Sequence, residues 1–146
     1  MTRIERMTDA HLEAVVALER ACFLVPWTRT QVAQSHLMAG AIALVLMQSE
    51  ELIGYALVQM SADEAELLRI AVAPMNSRKG YGSQLLRECI ARARSSGCNV
   101  LFLEVRAGDM GAQAFYATAG FRRVSLRKRY FSNPVDDAHI LMLPLT

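Results

Sequence analysis

The sequence predicts an α/β (α+β) fold, one domain with a mixed, mostly antiparallel central sheet of about seven strands flanked by about four helices. Three observations lead there. Apolar residues make up 53% of 146 residues, enough for one core of ordinary size. Three apolar runs with strand character follow one another between residues 41 and 72, which calls for antiparallel neighbours. After them, helical stripes alternate with short apolar runs, which calls for crossovers that lay helices on the sheet faces.

Each element has its own signal. Arg3 to Met7 alternates as a half-buried strand does. Thr8 or Asp9 caps a helix with Leu12, Val15, Val16 and Leu18 on one side, and Phe23-Leu24-Val25-Pro26-Trp27 breaks it. Thr28-x-x-Gln31 is a capping box that opens a second helix, running to about Met38. Ala41 to Met47 and Leu52 to Met60 flank the polar turn Gln48-Ser49-Glu50-Glu51. Glu66 to Val72 follows and stops at Pro74, which has no backbone donor. From Gly82 to Arg94, Leu85, Leu86, Cys89, Ile90 and Ala93 form a helical stripe, ended by Gly97. Val100 to Val105 is a short buried strand, Met110 to Ala119 a helix closed by Gly120, Phe121 to about Arg129 a strand, and Ile140 to Leu143 the last strand.

Composition narrows the function classes. The longest apolar stretch, Leu37 to Met47, is eleven residues, about half the length of a membrane span. The first residues, MTRIERMTDAHLE, are charged where a secretory signal is apolar. A soluble, cytoplasmic protein with no membrane partner is expected. Sixteen basic and fourteen acidic residues leave +2, which gives no footprint for direct nucleic-acid binding. Cys22, Cys89 and Cys98 lack C-x-x-C spacing and read as small hydrophobes in a reducing compartment. His11, His36 and His139 are isolated, so no metal site is expected.

The most informative stretch runs from Leu68 to Ser83, where a buried strand enters a loop, and the loop enters a helix through Gly80 and Gly82. The first four N–H groups of a helix lack internal acceptors, and its dipole adds about half a positive charge there. With Arg78 and Lys79 beside it, this turn suits a pyrophosphate. A Walker loop is excluded because no Lys-Ser or Lys-Thr follows either glycine. A dinucleotide-binding turn needs a third glycine where Leu85 stands, although Glu104 lies about where a ribose-binding acid belongs. A helix start using glycine for geometry alone remains open on this stretch.

The pattern Arg78-x-Gly80-x-Gly82 after Ile70-Ala71-Val72-x-Pro74 resembles the acetyl-CoA signature of the Gcn5-related N-acetyltransferases (GNAT). Leu103-Glu104-Val105-Arg106, Ala114-Phe115-Tyr116, Gly120-Phe121, Arg127-Lys128-Arg129-Tyr130-Phe131 and Asp137-Ala138 follow in the order and spacing of the bacterial RimI type. Glu19-Arg20 and Pro26-Trp27-Thr28 match as well, so residues 1–146 are covered as one N-acetyltransferase domain. The resemblance implies acetyl-CoA as co-substrate. Ile70, Ala71 and Val72 would meet its acetyl and pantetheine end, and Arg78, Lys79, Gly80, Tyr81, Gly82 and Ser83 its pyrophosphate. Asp109 stands where the family has an Asn that contacts coenzyme A, and Ser77 where it often has Gln or Arg.

The resemblance also implies the chemistry. Glu104 would be general base, through a water, and Tyr116 general acid toward the departing thiolate. Read without it, Glu104 has a competing role as an acid paired with Arg106 on the same strand face, and Tyr116 is a core residue with a wet tip. Free N–H groups near Ile70 to Val72 would polarise the acetyl carbonyl if a bulge opens the ladder. The implied acceptor is the N-terminal alanine of a small-subunit ribosomal protein, by direct transfer in a ternary complex. An α-amine with pKa about 7.8 is roughly 14% neutral at pH 7, whereas lysine at about 10.4 is roughly 0.04% neutral. One carboxylate base therefore suits a protein N-terminus better than a lysine. A wider N-terminal or lysine acceptor range, and a non-catalytic acyl-CoA-binding regulator, are the alternatives. Pro26-Trp27 is either a groove wall or a buried anchor, and Asp136 and Asp137, in a loop, offer charge to a basic acceptor residue.

Overall fold

The first half of the chain builds an antiparallel sheet, whose last three strands are joined by two-residue connections that allow no other pairing. The computed structural model describes residues 1–146. Strands β1 (Thr2–Arg6), β2 (Ala41–Gln48), β3 (Glu51–Ser61) and β4 (Glu64–Val72) pair in sequence, each antiparallel to the one before. The predicted hairpin closes at Gln48 opposite Glu51, with Ser49 at φ 55°.

Between β1 and β2 the chain forms one 3-10 turn (Asp9–His11) and helices α1 (Leu12–Cys22) and α2 (Arg29–Ser35). The Thr28 capping box forms as the sequence predicts. The Gln31 N–H donates to Thr28 Oγ1 at 3.1 Å, and the Thr28 N–H donates to the Gln31 side chain at 2.7 Å. α2 ends at Ser35, short of Met38, because Leu37 and Met38 face solvent and no apolar contact extends the helix.

The second half carries the crossovers. Helix α3 (Tyr81–Ser95) buries Leu85, Leu86, Cys89 and Ala93 and returns the chain parallel to β4 in β5 (Val100–Arg106). Helix α4 (Met110–Thr118) leads to β6 (Arg122–Phe131), and β7 (Asp136–Pro144) then inserts between β5 and β6. The sheet order is β1-β2-β3-β4-β5-β7-β6. β7 is antiparallel to both neighbours, so β5 and β6 run the same way and β5-α4-β6 spans one strand position.

The last strand corrects the sequence reading. It begins at Asp136 rather than Ile140, so Asp136 and Asp137 are strand residues and not loop residues. Their carboxylates serve the backbone: Asp136 accepts from the N–H groups of Gly108 and Asp137, and Asp137 from that of Arg129. That last bond satisfies an amide in the irregular stretch after Arg127, where β6 departs from its register with β7.

Two apolar layers sandwich the sheet. On one face α3 and α4 cover a cluster that includes Leu44, Leu46, Leu67, Leu101, Leu103 and Tyr116. On the other, α1 and α2 cover Val45, Met47, Tyr55, Leu57 and Ala71. The second layer stops at β4. β6 is exposed from Arg122 to Tyr130.

Candidate active site

Parting of β4 from β5 creates the site. The two strands pair only from Glu64 to Glu66 against Val100 to Phe102, while β3 follows β4 to Val72 and β7 follows β5 to Arg106. In β4 the register against β3 jumps, with Arg69 opposite Leu57 and Leu67 opposite Val58. Leu68 is therefore an extra residue, a bulge that bends the strand away from β5. The sequence anticipated an open ladder at Ile70 to Val72, and this bulge lies just before it.

The cleft so formed has a volume of about 850 Å³ and is lined by residues that include Ile70, Ala71, Val72, Glu104, Asp109 and Tyr116. The Ala73 N–H donates to the Ile53 carbonyl at 2.8 Å. Alternation along the strand then turns the amides of Ile70 and Val72 away from β3 and toward the cleft. The Cys22 thiol, donating to the Val72 carbonyl at 3.3 Å, lies on that same side.

Glu104 and Tyr116 approach this cleft from opposite faces of the sheet. In β5, Leu101, Leu103 and Val105 pack under α3 and α4, so the two-residue period sends Glu104 to the other face. There Glu104 Oε1 accepts from the Tyr130 hydroxyl at 3.2 Å, and Oε2 lies 3.5 Å from Arg127 Nη1. The sequence reading had Arg106 as the competing partner. Instead Arg106 donates to the carbonyls of Pro134 and Ser132 and stacks on Phe131 at 4.5 Å. It holds the β6–β7 turn and leaves Glu104 to β6.

Tyr116 belongs to the α3/α4 face. Its ring packs edge-on against Phe115 and Phe121, and burial, with the charge of Asp109, raises its pKa above the ordinary value for a phenol. Its hydroxyl has no protein hydrogen-bond partner and is not sealed from the cleft. The phenol therefore stays protonated at neutral pH and is able to donate.

Sequence reasoning missed Glu66. It lies on β4 opposite Phe102 of β5, on the sheet face of Glu104, and its pKa is raised by burial and by the charge of Glu104. A glutamate in an alternating strand looks like any solvated residue, and no local pattern marks that it faces a second carboxylate.

The turn before α3 has the geometry of an anion nest. Arg78 (φ 63°) and Gly80 (φ 84°) are left-handed, and the first helical bond, Gln84 N–H to Gly80 carbonyl, leaves the amides of Tyr81, Gly82 and Ser83 without helical acceptors. A second groove, between α3 and α4, is lined by Ser83, Arg87, Phe115 and others. Asp109 is the N-cap of α4, and its Oδ1 accepts the Ala112 N–H at 3.0 Å. Trp27 is the anchor rather than an open groove wall: it is half-buried, and its ring lies 4.9 Å from the Arg69 guanidinium. Cys89 and Cys98 are buried and Cys22 half-buried, all as free thiols, with Cys89 pushed up to about 12 mainly by burial.

A sheet split beside a bulged strand, with an amide-rich turn after that strand, is a site fit for an extended ligand with a diphosphate at one end. The chain belongs to the acetyltransferase (GNAT) family, whose pattern matches residues 12–121, and it is an acetyl-CoA-dependent N-acetyltransferase. It is similar to the [ribosomal protein bS18]-alanine N-acetyltransferase of Haemophilus ducreyi, 32% identical over 133 residues and 90% of each chain. The protein of the same name from Escherichia coli strain K12 is 31% identical over 148 residues, covering 100% of this chain and 99% of that one. A crystal structure of the ribosomal-protein-S18-alanine N-acetyltransferase from Escherichia coli superimposes with a TM-score of 0.93 at 30% identity, covering 100% of this chain and 95% of that one. No helix is long and apolar enough to cross a membrane.

Proposed function

We propose that this enzyme transfers the acetyl group of acetyl-CoA to the N-terminal alanine of a small-subunit ribosomal protein, in the cytoplasm and by direct attack within a ternary complex. The acceptor rests on the relatives, which carry that activity in their names and match 90% and 100% of this chain. One observation carries the mechanism: Glu104 and Tyr116 border the same cleft from opposite sheet faces.

Each group then has a role. Arg78 to Ser83 hold the diphosphate with backbone amides and two cations. The Ile70 and Val72 amides orient the acyl end and polarise its carbonyl. Glu104, through a water, takes the proton of the incoming ammonium, and Tyr116 protonates the departing thiolate. Glu66 adds a second carboxyl beside Glu104, and the shared negative field draws a cationic amine toward the base. Deprotonating an α-amine at pH 7 costs about 1 kcal/mol, against nearly 5 for lysine (~10.4 against ~7.8 in pKa). A single carboxylate meets the first demand. Asp109 is assigned to capping α4 and to the field at Tyr116, in place of an amide contact to coenzyme A.

Thiol release with synthetic peptides tests this. A peptide beginning with alanine should be acetylated, and the same peptide with a blocked N-terminus and an internal lysine should not. Transfer to lysine at equal efficiency would overturn the acceptor assignment. Mass spectrometry of N-terminal peptides from cells with and without the enzyme identifies the protein acceptor.

A further inference from the structure

Glu19 is the most deeply buried charge in the molecule, with no exposed surface, and the mechanism above does not use it. Four donors converge on its carboxylate from three parts of the fold. Arg69 of β4 donates twice, Nη2 to Oε1 at 2.5 Å and Nε to Oε2 at 3.0 Å. The Tyr55 hydroxyl of β3 donates to Oε2. The Trp27 backbone N–H, in the connection between α1 and α2, donates to Oε1 at 2.8 Å.

Arg69 reaches the same connection a second time. Its guanidinium lies 3.7 Å from the centre of the Phe23 ring and 4.9 Å from that of Trp27, a stack that a planar cation makes and an ammonium does not. Both ends of the segment Phe23–Trp27 are therefore fastened to β4 through one ion pair. Phe23, Leu24 and Arg69 line the cleft that holds Glu104, and α1 covers the sheet face onto which Glu104 projects. An ion pair is a poor means of stabilising a core, since a well-packed apolar pair often does as well. What this pair does that an apolar pair does not is fix a connecting segment at two points.

We propose that Glu19 and Arg69 are positioning residues for the acceptor: they hold Phe23–Trp27 against β4 so that Phe23 and Leu24 form a fixed wall on the side from which the amine enters. The proposal rests on the acetyl-transfer reading above and adds residues that touch neither substrate's reacting atoms.

Two variants test it in the full-length enzyme with acetyl-CoA and an alanine-initiated peptide. Arg69→Lys keeps the charge and loses the fork and the stack. The double variant Glu19→Gln/Arg69→Met leaves no buried charge, while Gln keeps an acceptor for the Trp27 N–H and a partner for Tyr55. In each, KM for the peptide should rise roughly tenfold or more, with kcat at saturating peptide and KM for acetyl-CoA within about twofold, the pattern of lost acceptor binding. Folded variants, judged by thermal melts, that keep the wild-type peptide KM would overturn the proposal, as would equal rises in both KM values. If the wild-type enzyme acetylates no α-amine at all, the functional reading fails instead, and the two failures are told apart by that control.

Discussion

Replacing Glu104 by Gln exchanges a carboxylate for an amide of the same shape. Gln Oε1 still accepts the Tyr130 hydroxyl, now 3.2 Å away, so the exchange removes charge and basicity and leaves the packing. A positioned base is worth about 10²–10⁴ in rate, and kcat/KM for an alanine-initiated peptide at pH 7 should fall by that range. The residual activity depends on amine that arrives already neutral, roughly 14% at pH 7. Raising the pH to 9 should then recover about sevenfold and no more, because the amine is nearly all neutral by then. Glu66 complicates the single exchange. The Glu104 charge is one cause of its raised pKa, so removing that charge lets Glu66 ionise more easily and act as a substitute base. The double variant Glu66→Gln/Glu104→Gln closes that route. Initial rates by thiol release across pH 6–9.5 decide the matter, and wild-type rates with an unchanged profile in both variants would remove this carboxyl pair from the mechanism.

Tyr116→Phe keeps the edge-on contacts with Phe115 and Phe121 and loses one hydroxyl; kcat should fall about 10²-fold or more, with acetyl-CoA affinity by calorimetry near wild type. Gly82→Ala should separate fold from ligand. The new Cβ meets the Phe115 ring at 3.5 Å, an ordinary contact, and Ala favours a helix by about 1 kcal/mol, so the melting temperature should hold or rise while acetyl-CoA affinity drops. Unchanged affinity would move the diphosphate off α3. Burial raises the pKa of both Tyr55 and Tyr116, so the unfolded chain gives up their protons first. Stability should be fully present below about pH 10 and decline above it, by up to about 1.4 kcal/mol per pH unit for each tyrosine; urea melts at pH 9 and 11 measure the slope, which Tyr55→Phe should reduce.

Local chemistry made most elements readable in advance. Thr28 and Gln31 announced the start of α2, and the stripe from Leu85 to Ala93 announced the buried side of α3. What stayed hidden depends on contacts between distant residues. β7 starts four residues earlier than its apolar run because Asp136 to His139 are held by backbone pairing with β5 and β6, which leaves no hydropathic trace. The partners of Glu104 come from β6, in place of the neighbour two residues along that local reasoning offered as a competitor. Glu19 falls three and four residues after Val16 and Val15, on the apolar side of α1, but a lone acid there gives no sign that an arginine fifty residues later will meet it. The Leu68 bulge has no signature of its own, yet the cleft depends on it.

Because the two arms of the reaction meet through a slot in a β-sheet, donor and acceptor need not share an entrance. On the proposed assignment, coenzyme A would be held on the α3/α4 side and the polypeptide on the α1/α2 side, so neither product would block the other's exit. A large acceptor could then dock before or after the carrier, which would come and go behind the partition.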